Sequence, residues 1–338
     1  MSKDIQLNYE ELSYAIGKIA NWYKKSIKLL TILTVPFNTS YIFSDIINEI
    51  SNQGEKILYV WSNNRENREL LTLLREVNLN ITYSYIECGA GITDLTFVNQ
   101  KNIALIKGTY DLVIFDDIGC FSNLDNRSLR QKIERCTDLG KKVLFYGIEK
   151  IGLLGEVIEI SSYNYRKPFV EPRILTTRIN LNIDIPYNLY EYLKWFEINK
   201  NNIAIYTPNE EKLDLVYDYF ETQLVMKDVK IIKVSKQEEI KKCERVLKYK
   251  DKAIFIITNK LEELSEYCLI DNAVVLFSDN GRYTYKKLIY LCGKIGKINS
   301  ELPEILLVSN SVSSDMDKAK YLAREFNKKI WEKKLVRL

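Results

Sequence analysis

Short apolar runs of strand length recur along the chain, separated by stretches with helical spacing, and this alternation constrains the fold more than any other feature. One set of runs covers residues 29–35, 56–61, 82–86, 111–115 and 142–146; a second covers 202–206, 230–234, 253–257, 273–277 and 304–308. Nearly continuous apolar runs of this length are expected of strands buried on both faces. Between them Leu129, Ile133 and Cys136 fall at i, i+4 and i+7, one face of a helix. Met316, Ala319, Leu322, Ala323, Phe326 and Ile330 draw a longer stripe near the end. Regular β-α alternation predicts parallel sheets covered by helices. Two sets of five runs in 338 residues predict two α/β domains, 1–180 and 181–338. Three of the six prolines, Pro168, Pro172 and Pro186, lie just before or after that division, and residues 187–199 read as the helix that opens the second half.

Composition removes several chemistries. The chain has no histidine, which excludes Ser-His-Asp and Cys-His nucleophilic machinery, His-ligated metals and histidine bases. Its six cysteines (Cys88, Cys120, Cys136, Cys243, Cys268 and Cys292) include no C-x-x-C pair, so they read as reduced, mostly buried thiols rather than a zinc site. No run approaches the ~20 apolar residues of a membrane span. The first residues lack a signal-peptide pattern, and the expected location is cytoplasmic. Charge is uneven: residues 227–338 hold 24 Lys/Arg and 16 Asp/Glu, a balance of +8, against 25 and 29 in residues 1–226. A basic last third suits a phosphate-rich partner or, more plainly, a solvated lysine surface.

Three segments are candidates for chemistry. The run 111–115 leads into two adjacent carboxylates, Asp116 and Asp117. At the carboxyl end of a parallel strand, one acid can face a magnesium ion and the other an attacking water; the alternative is a polar turn. After the run 29–35, the loop Thr34-Val-Pro-Phe-Asn-Thr-Ser40 stands where a phosphate loop would, before a helix expected near Tyr41. It has no glycine to curl around a phosphate and no lysine to reach one, so by residue type it is a helix cap using Thr39 or Ser40. The third segment, Leu291-Cys-Gly-Lys-Ile-Gly-Lys297, places Lys294 and Lys297 each after a glycine.

The order and spacing of these elements resemble superfamily-two helicases, and within them the late competence protein family ComFA. Asp116-Asp-Ile-Gly-Cys-Phe121 resembles that family's Walker B segment, Lys167-Pro-Phe-Val-Glu-Pro172 its proline stretch, and Ile203-Ala-Ile-Tyr-Thr-Pro208 the opening strand of its second domain. Thr258-Asn-Lys-Leu-Glu-Glu263 stands at the fifth motif and Gly293-Lys-Ile-Gly-Lys297 at the sixth; Ser314-Asp-Met-Asp-Lys-Ala319 through Asn327 resembles the terminal helix. The resemblance implies two tandem RecA-like domains facing each other across a cleft. It also implies ATP and magnesium as cofactors, with Thr39, Ser40, Lys294 and Lys297 at the nucleotide, Ser40 and Asp116 at the metal, and Asp116 and Asp117 as catalytic carboxylates. Single-stranded DNA and competence or recombination proteins are the implied partners.

The departures cluster on phosphate chemistry. Pro36-Phe-Asn-Thr-Ser40 stands in place of Gly-x-Gly-Lys-Thr, so the phosphate-binding lysine falls on Thr39. The water-activating glutamate falls on Asp117, one methylene shorter, and both arginine fingers are lysines, which lack the forked guanidinium. The Arg-Gly pair of the fifth motif is Glu263-Leu264. The expected protein is a helicase-like component of DNA uptake or processing with weak or no ATPase activity. An active translocase with atypical motifs and a protein-interaction scaffold are the other readings. Tyr283, Tyr285 and Tyr290 are sequence candidates for base stacking, with core packing as their alternative.

Overall fold

The computed structural model describes residues 9–121, 124–160, 168–224, 226–247, 251–267, 270–296 and 303–332. The chain forms two compact units, Met1–Arg166 and Lys167–Leu338.

The first unit opens with helix α1 (Tyr9–Tyr23) and strand β1 (Leu29–Leu33). After the loop and a 3-10 turn (Ser40–Phe43) come α2 (Ser44–Asn52), β2 (Ile57–Trp61), α3 (Arg68–Val77), β3 (Tyr83–Ile86) and β4 (Leu95–Asn99). β5 (Tyr110–Asp116), α4 (Asn126–Leu139), β6 (Gly140–Gly147) and β7 (Glu156–Glu159) complete it. The sheet order is β3-β4-β2-β5-β6-β1-β7, parallel throughout. Central strands are apolar along their whole length because helices cover both faces. The stripe read from the sequence on α4 is the buried one: Leu129, Ile133 and Cys136 pack with Val113, Phe115, Val143 and Phe145.

The second unit runs β8 (Arg173–Thr176), α5 (Tyr187–Ile198), β9 (Ile203–Tyr206), α6 (Glu210–Thr222), β10 (Val229–Val234), α7 (Gln237–Val246) and β11 (Ala253–Thr258). It continues with α8 (Leu261–Tyr267), β12 (Asn272–Leu276), α9 (Tyr285–Lys294), β13 (Glu304–Ser309) and α10 (Ser314–Glu332). Its order is β10-β11-β9-β12-β13-β8, again all parallel. Leu189, Leu193 and Phe196 of α5 and Leu213, Val216 and Phe220 of α6 cover Ile203, Ile205, Phe255 and Ile257.

All ten expected strands are present. β4, β7 and β8 were not expected, and among the described residues the two sheets therefore have seven and six strands. Phe277, expected inside a strand, lies just past β12 in the left-handed region (φ 55°). The proline stretch is tied to the second unit. Asn327 Nδ2 donates to the Phe169 carbonyl (2.9 Å) while its Oδ1 accepts from the Phe169 amide (2.7 Å), and the Phe169 and Phe326 rings meet at 5.3 Å. Of the cysteines, Cys136, Cys243 and Cys292 are buried free thiols and Cys88 is exposed; Cys268 lies outside the described residues. No described helix is long and apolar enough to cross a membrane.

Candidate functional site

A parallel sheet gathers the carboxyl ends of its strands along one edge, where α/β folds bind ligands. In the first unit Leu33 pairs with Gly147 and Asp116 with Tyr146, so the ends of β1, β6 and β5 adjoin. The loop after β1 is held to that edge: the Thr34 amide donates to the Gly147 carbonyl (3.0 Å), Phe37 N to Ile118 O (2.9 Å), and Asp117 N to Tyr146 O (2.9 Å). Thr39, Ser40, Asp116 and Asp117 are therefore brought together, all four buried.

Two of the four, Asp116 and Ser40, belong to a buried hydrogen-bonded network with Tyr59 and Asn67. The Asp116 carboxylate is 1% exposed and both its oxygens are engaged. Oδ1 accepts from the amides of Ile118 and Gly119, each at 2.8 Å, and Oδ2 accepts from the Tyr59 hydroxyl at 2.5 Å. A Cβ at position 119 would stand 2.7 Å from Asp116 Oδ2, so glycine is what lets that turn close on the carboxylate. Ser40, 3% exposed, accepts from Asn67 Nδ2 (3.2 Å), and its Oγ lies 3.4 Å from the Tyr59 hydroxyl oxygen, whose one proton goes to Asp116. Asn67 is itself the N-cap of α3, its Oδ1 accepting from the Leu70 amide.

The loop's own donors are consumed in the same way. Asn38 Oδ1 accepts from the Thr39 amide (3.0 Å), and Asn38 Nδ2 donates to Thr34 Oγ1 (2.8 Å). Thr39 caps the 3-10 turn, its Oγ1 accepting from the Tyr41 amide, while its carbonyl accepts from the Tyr146 hydroxyl. The capping expectation for Thr39 holds. Phe37 sits in the left-handed region (φ 58°), where a bulky residue costs ~1–3 kcal/mol. Its ring packs edge-on against Phe121 (5.5 Å, 65°), and that contact helps offset the strain.

Burial, then the adjacent Asp116 carboxylate, push the Tyr59 phenol well above its ordinary pKa. It remains a donor at any physiological pH. Burial also raises the Asp116 carboxyl above its usual value, against the lowering pull of the Tyr59 hydroxyl and the two amides. The Cys120 thiol is pushed up to about 12, by burial first and by the Asp116 charge next, so it is no thiolate nucleophile.

Sequence reasoning found the loop and the two acids but missed Tyr59 and Asn67. Tyr59 was hidden inside an apolar strand. The available signal was that a tyrosine buried in mid-strand needs a partner for its hydroxyl. In the second unit, Lys294 ends α9 and is half-buried; Lys297 lies outside the described residues. Gly296 is left-handed (φ 80°), and a Cβ there would meet Pro303 at 2.9 Å. Tyr283 and Tyr290 are buried, so neither offers a ring face to a base; Tyr285 carries the Lys318 ammonium over its ring.

No family model and no curated protein sequence matches the chain. Solved structures do match in fold. The chain is similar to the Escherichia coli DExH-box NTPase HrpB (TM-score 0.55, 13% identity, 95% of this chain and 43% of that one). A second structure of that protein, described as a DEAH/RHA helicase, gives TM-score 0.51, 14% identity and coverage of 89% and 42%. RecG bound to a three-way DNA junction gives TM-score 0.50, 12% identity and coverage of 96% and 45%. The two parallel, helix-covered sheets have the fold of two tandem RecA-like domains, which these structures share. The chain spans less than half the length of these structures.

That fold implies ATP and magnesium, and the residues present do not fit them. A magnesium–phosphate site needs an accessible carboxylate and hydroxyl, loop amides aimed outward and a lysine. Here Asp116 and Ser40 are buried and engaged, the amides of Phe37, Thr39 and Tyr41 point into the protein's own acceptors, and the loop from Thr34 to Ser40 contains no lysine.

Proposed function

We propose that this chain is a helicase-like protein that engages nucleic acid without hydrolysing ATP, a ComFA-like component of DNA uptake or processing. The observation that carries the reading is the Tyr59–Asp116–Ser40–Asn67 network, which occupies the polar groups a nucleotide would use. The helicase-like fold, the structure of RecG on a DNA junction and the +8 balance of residues 227–338 support nucleic acid as the partner. A second reading, attachment to a protein partner, draws on the exposed apolar side chains Ile183, Tyr187, Trp195 and Ile198 along and beside α5.

The test is the affinity of the full chain for a labelled single-stranded oligonucleotide, with and without magnesium–ATP. Binding is expected to weaken steeply with salt, as phosphate contacts require, and to be unchanged by the nucleotide. Absence of binding even at low salt would favour the protein-partner reading. An affinity that moves with ATP would mean that the first unit still senses nucleotide.

A further inference from the structure

Helix α10 has two unlike faces. Met316, Ala319, Leu322, Ala323, Phe326 and Ile330 are buried against the second unit. The opposite face carries Tyr321, Arg324, Lys328 and Trp331 at i, i+3, i+7 and i+10, one continuous row. Tyr321 is 60% exposed and Trp331 61% exposed. An aromatic ring left in water on a well-packed helix forgoes burial that would stabilise the fold by a few kcal/mol. The two rings stand ten residues apart, about 15 Å along the axis, with two cations between them.

The charge on this helix is graded. Its acids Asp315 and Asp317 sit in the first turn, where the helix dipole favours them. From Lys318 to Glu332 there are five cations (Lys318, Lys320, Arg324, Lys328, Lys329) and two acids (Glu325, Glu332), a balance of +3. Arg324 is anchored through Nε to Glu171 of the proline stretch (2.5 Å) in a surface pair that leaves its side chain 61% exposed. The Lys328–Glu332 pair is loose at 3.9 Å and exposed on both sides, so it holds the lysine weakly.

Rings flanking cations along an exposed row are the elements of single-strand recognition. Every base offers a face for stacking, and cations meet the backbone phosphates between stacked bases. A duplex, whose bases are stacked on one another, cannot offer those faces. We propose that this face of α10 binds a single-stranded polynucleotide, with bases on Tyr321 and Trp331 and phosphates at Arg324 and Lys328. The proposal rests on the reading that the protein binds nucleic acid, and it names the surface. It moves the stacking role away from Tyr283 and Tyr290, which the fold buries.

The experiment uses the full chain with fluorescein-labelled dT20 and U20, read by anisotropy over a range of salt. The double substitution Tyr321→Ala with Trp331→Ala is expected to weaken binding at least about tenfold, since each stacked base contributes ~1–3 kcal/mol. Tyr321→Phe with Trp331→Phe should retain binding near the wild-type level. Arg324→Gln with Lys328→Gln should lower the log–log salt slope by about 1.4, at ~0.7 per phosphate on a single strand. All four positions are exposed, and unchanged thermal melts verify folding. Comparable loss with dT20 and U20 supports a shared single-strand chemistry; loss with one alone assigns the surface to DNA or to RNA. If wild-type binds and the aromatic pair of alanines binds equally well, the stacking surface is overturned while nucleic-acid binding stands. If wild-type binds neither oligomer at low salt, the underlying functional reading fails and this surface with it.

Discussion

Replacing Asp116 by alanine is expected to destabilise the first unit by about 3 kcal/mol, lowering its melting temperature by about 6–12 °C. The substitution strands three buried donors at once, the amides of Ile118 and Gly119 and the hydroxyl of Tyr59. Each buried donor without an acceptor costs ~1–3 kcal/mol, partly offset here by removing a desolvated charge. Asp116→Asn keeps an acceptor for the two amides and should lose only about 1 kcal/mol. The melt of the isolated variants reads this directly. In a working magnesium site the same alanine would remove activity and leave stability nearly untouched, because an open carboxylate is not part of the fold. An Asp116→Ala protein that melts with the wild type would therefore mean that the network is not closed in solution.

Tyr59→Ala should have the larger effect, about 4 kcal/mol. The side chain is fully buried, with Phe43 (6.3 Å), Trp61 (6.2 Å) and Phe97 (5.3 Å) around its ring. Most of that loss is cavity. Tyr59→Phe separates the two contributions: it keeps the ring and deletes only the donor to Asp116. A hydrogen bond to a charged group contributes ~1.5–3 kcal/mol, so the phenylalanine variant should lose about 2 kcal/mol. Combined with Asp116→Ala, the two losses should fall short of additivity by more than about 1 kcal/mol, because both remove the same bond. Full additivity in urea denaturation would show that Tyr59 and Asp116 do not act together.

Much of this was legible in the residues. The continuous apolar runs of β2, β5, β6, β9, β11 and β12 announce buried parallel strands. β4 was missed because Thr96 and Asn99 dilute Leu95-Thr-Phe-Val-Asn99, although the whole strand is buried. β7 and β8 are sheet edges whose Glu156, Glu159, Arg173 and Thr176 remain partly or fully exposed, which erases the apolar signal. Position in the β-α order was enough to find Thr39, Ser40, Asp116 and Asp117. It was not enough to find what closes around them. Tyr59 meets Asp116 across 57 residues of sequence, through the register that sets Tyr59 beside Ile114 on β5. No local pattern records such a pairing. With Pro36 and no glycine in the loop, and Phe37 in the left-handed region with its ring packed on Phe121, the segment folds inward.

On the reading proposed above, the Tyr59–Asp116–Ser40–Asn67 network fills the place a nucleotide would take. Isothermal titration of magnesium–ATP into the full chain, up to millimolar concentration, is the decisive experiment. The network predicts no saturable heat and no rise in melting temperature with nucleotide. Saturable, magnesium-dependent binding that stabilises the wild type and is lost in Asp116→Asn would contradict it.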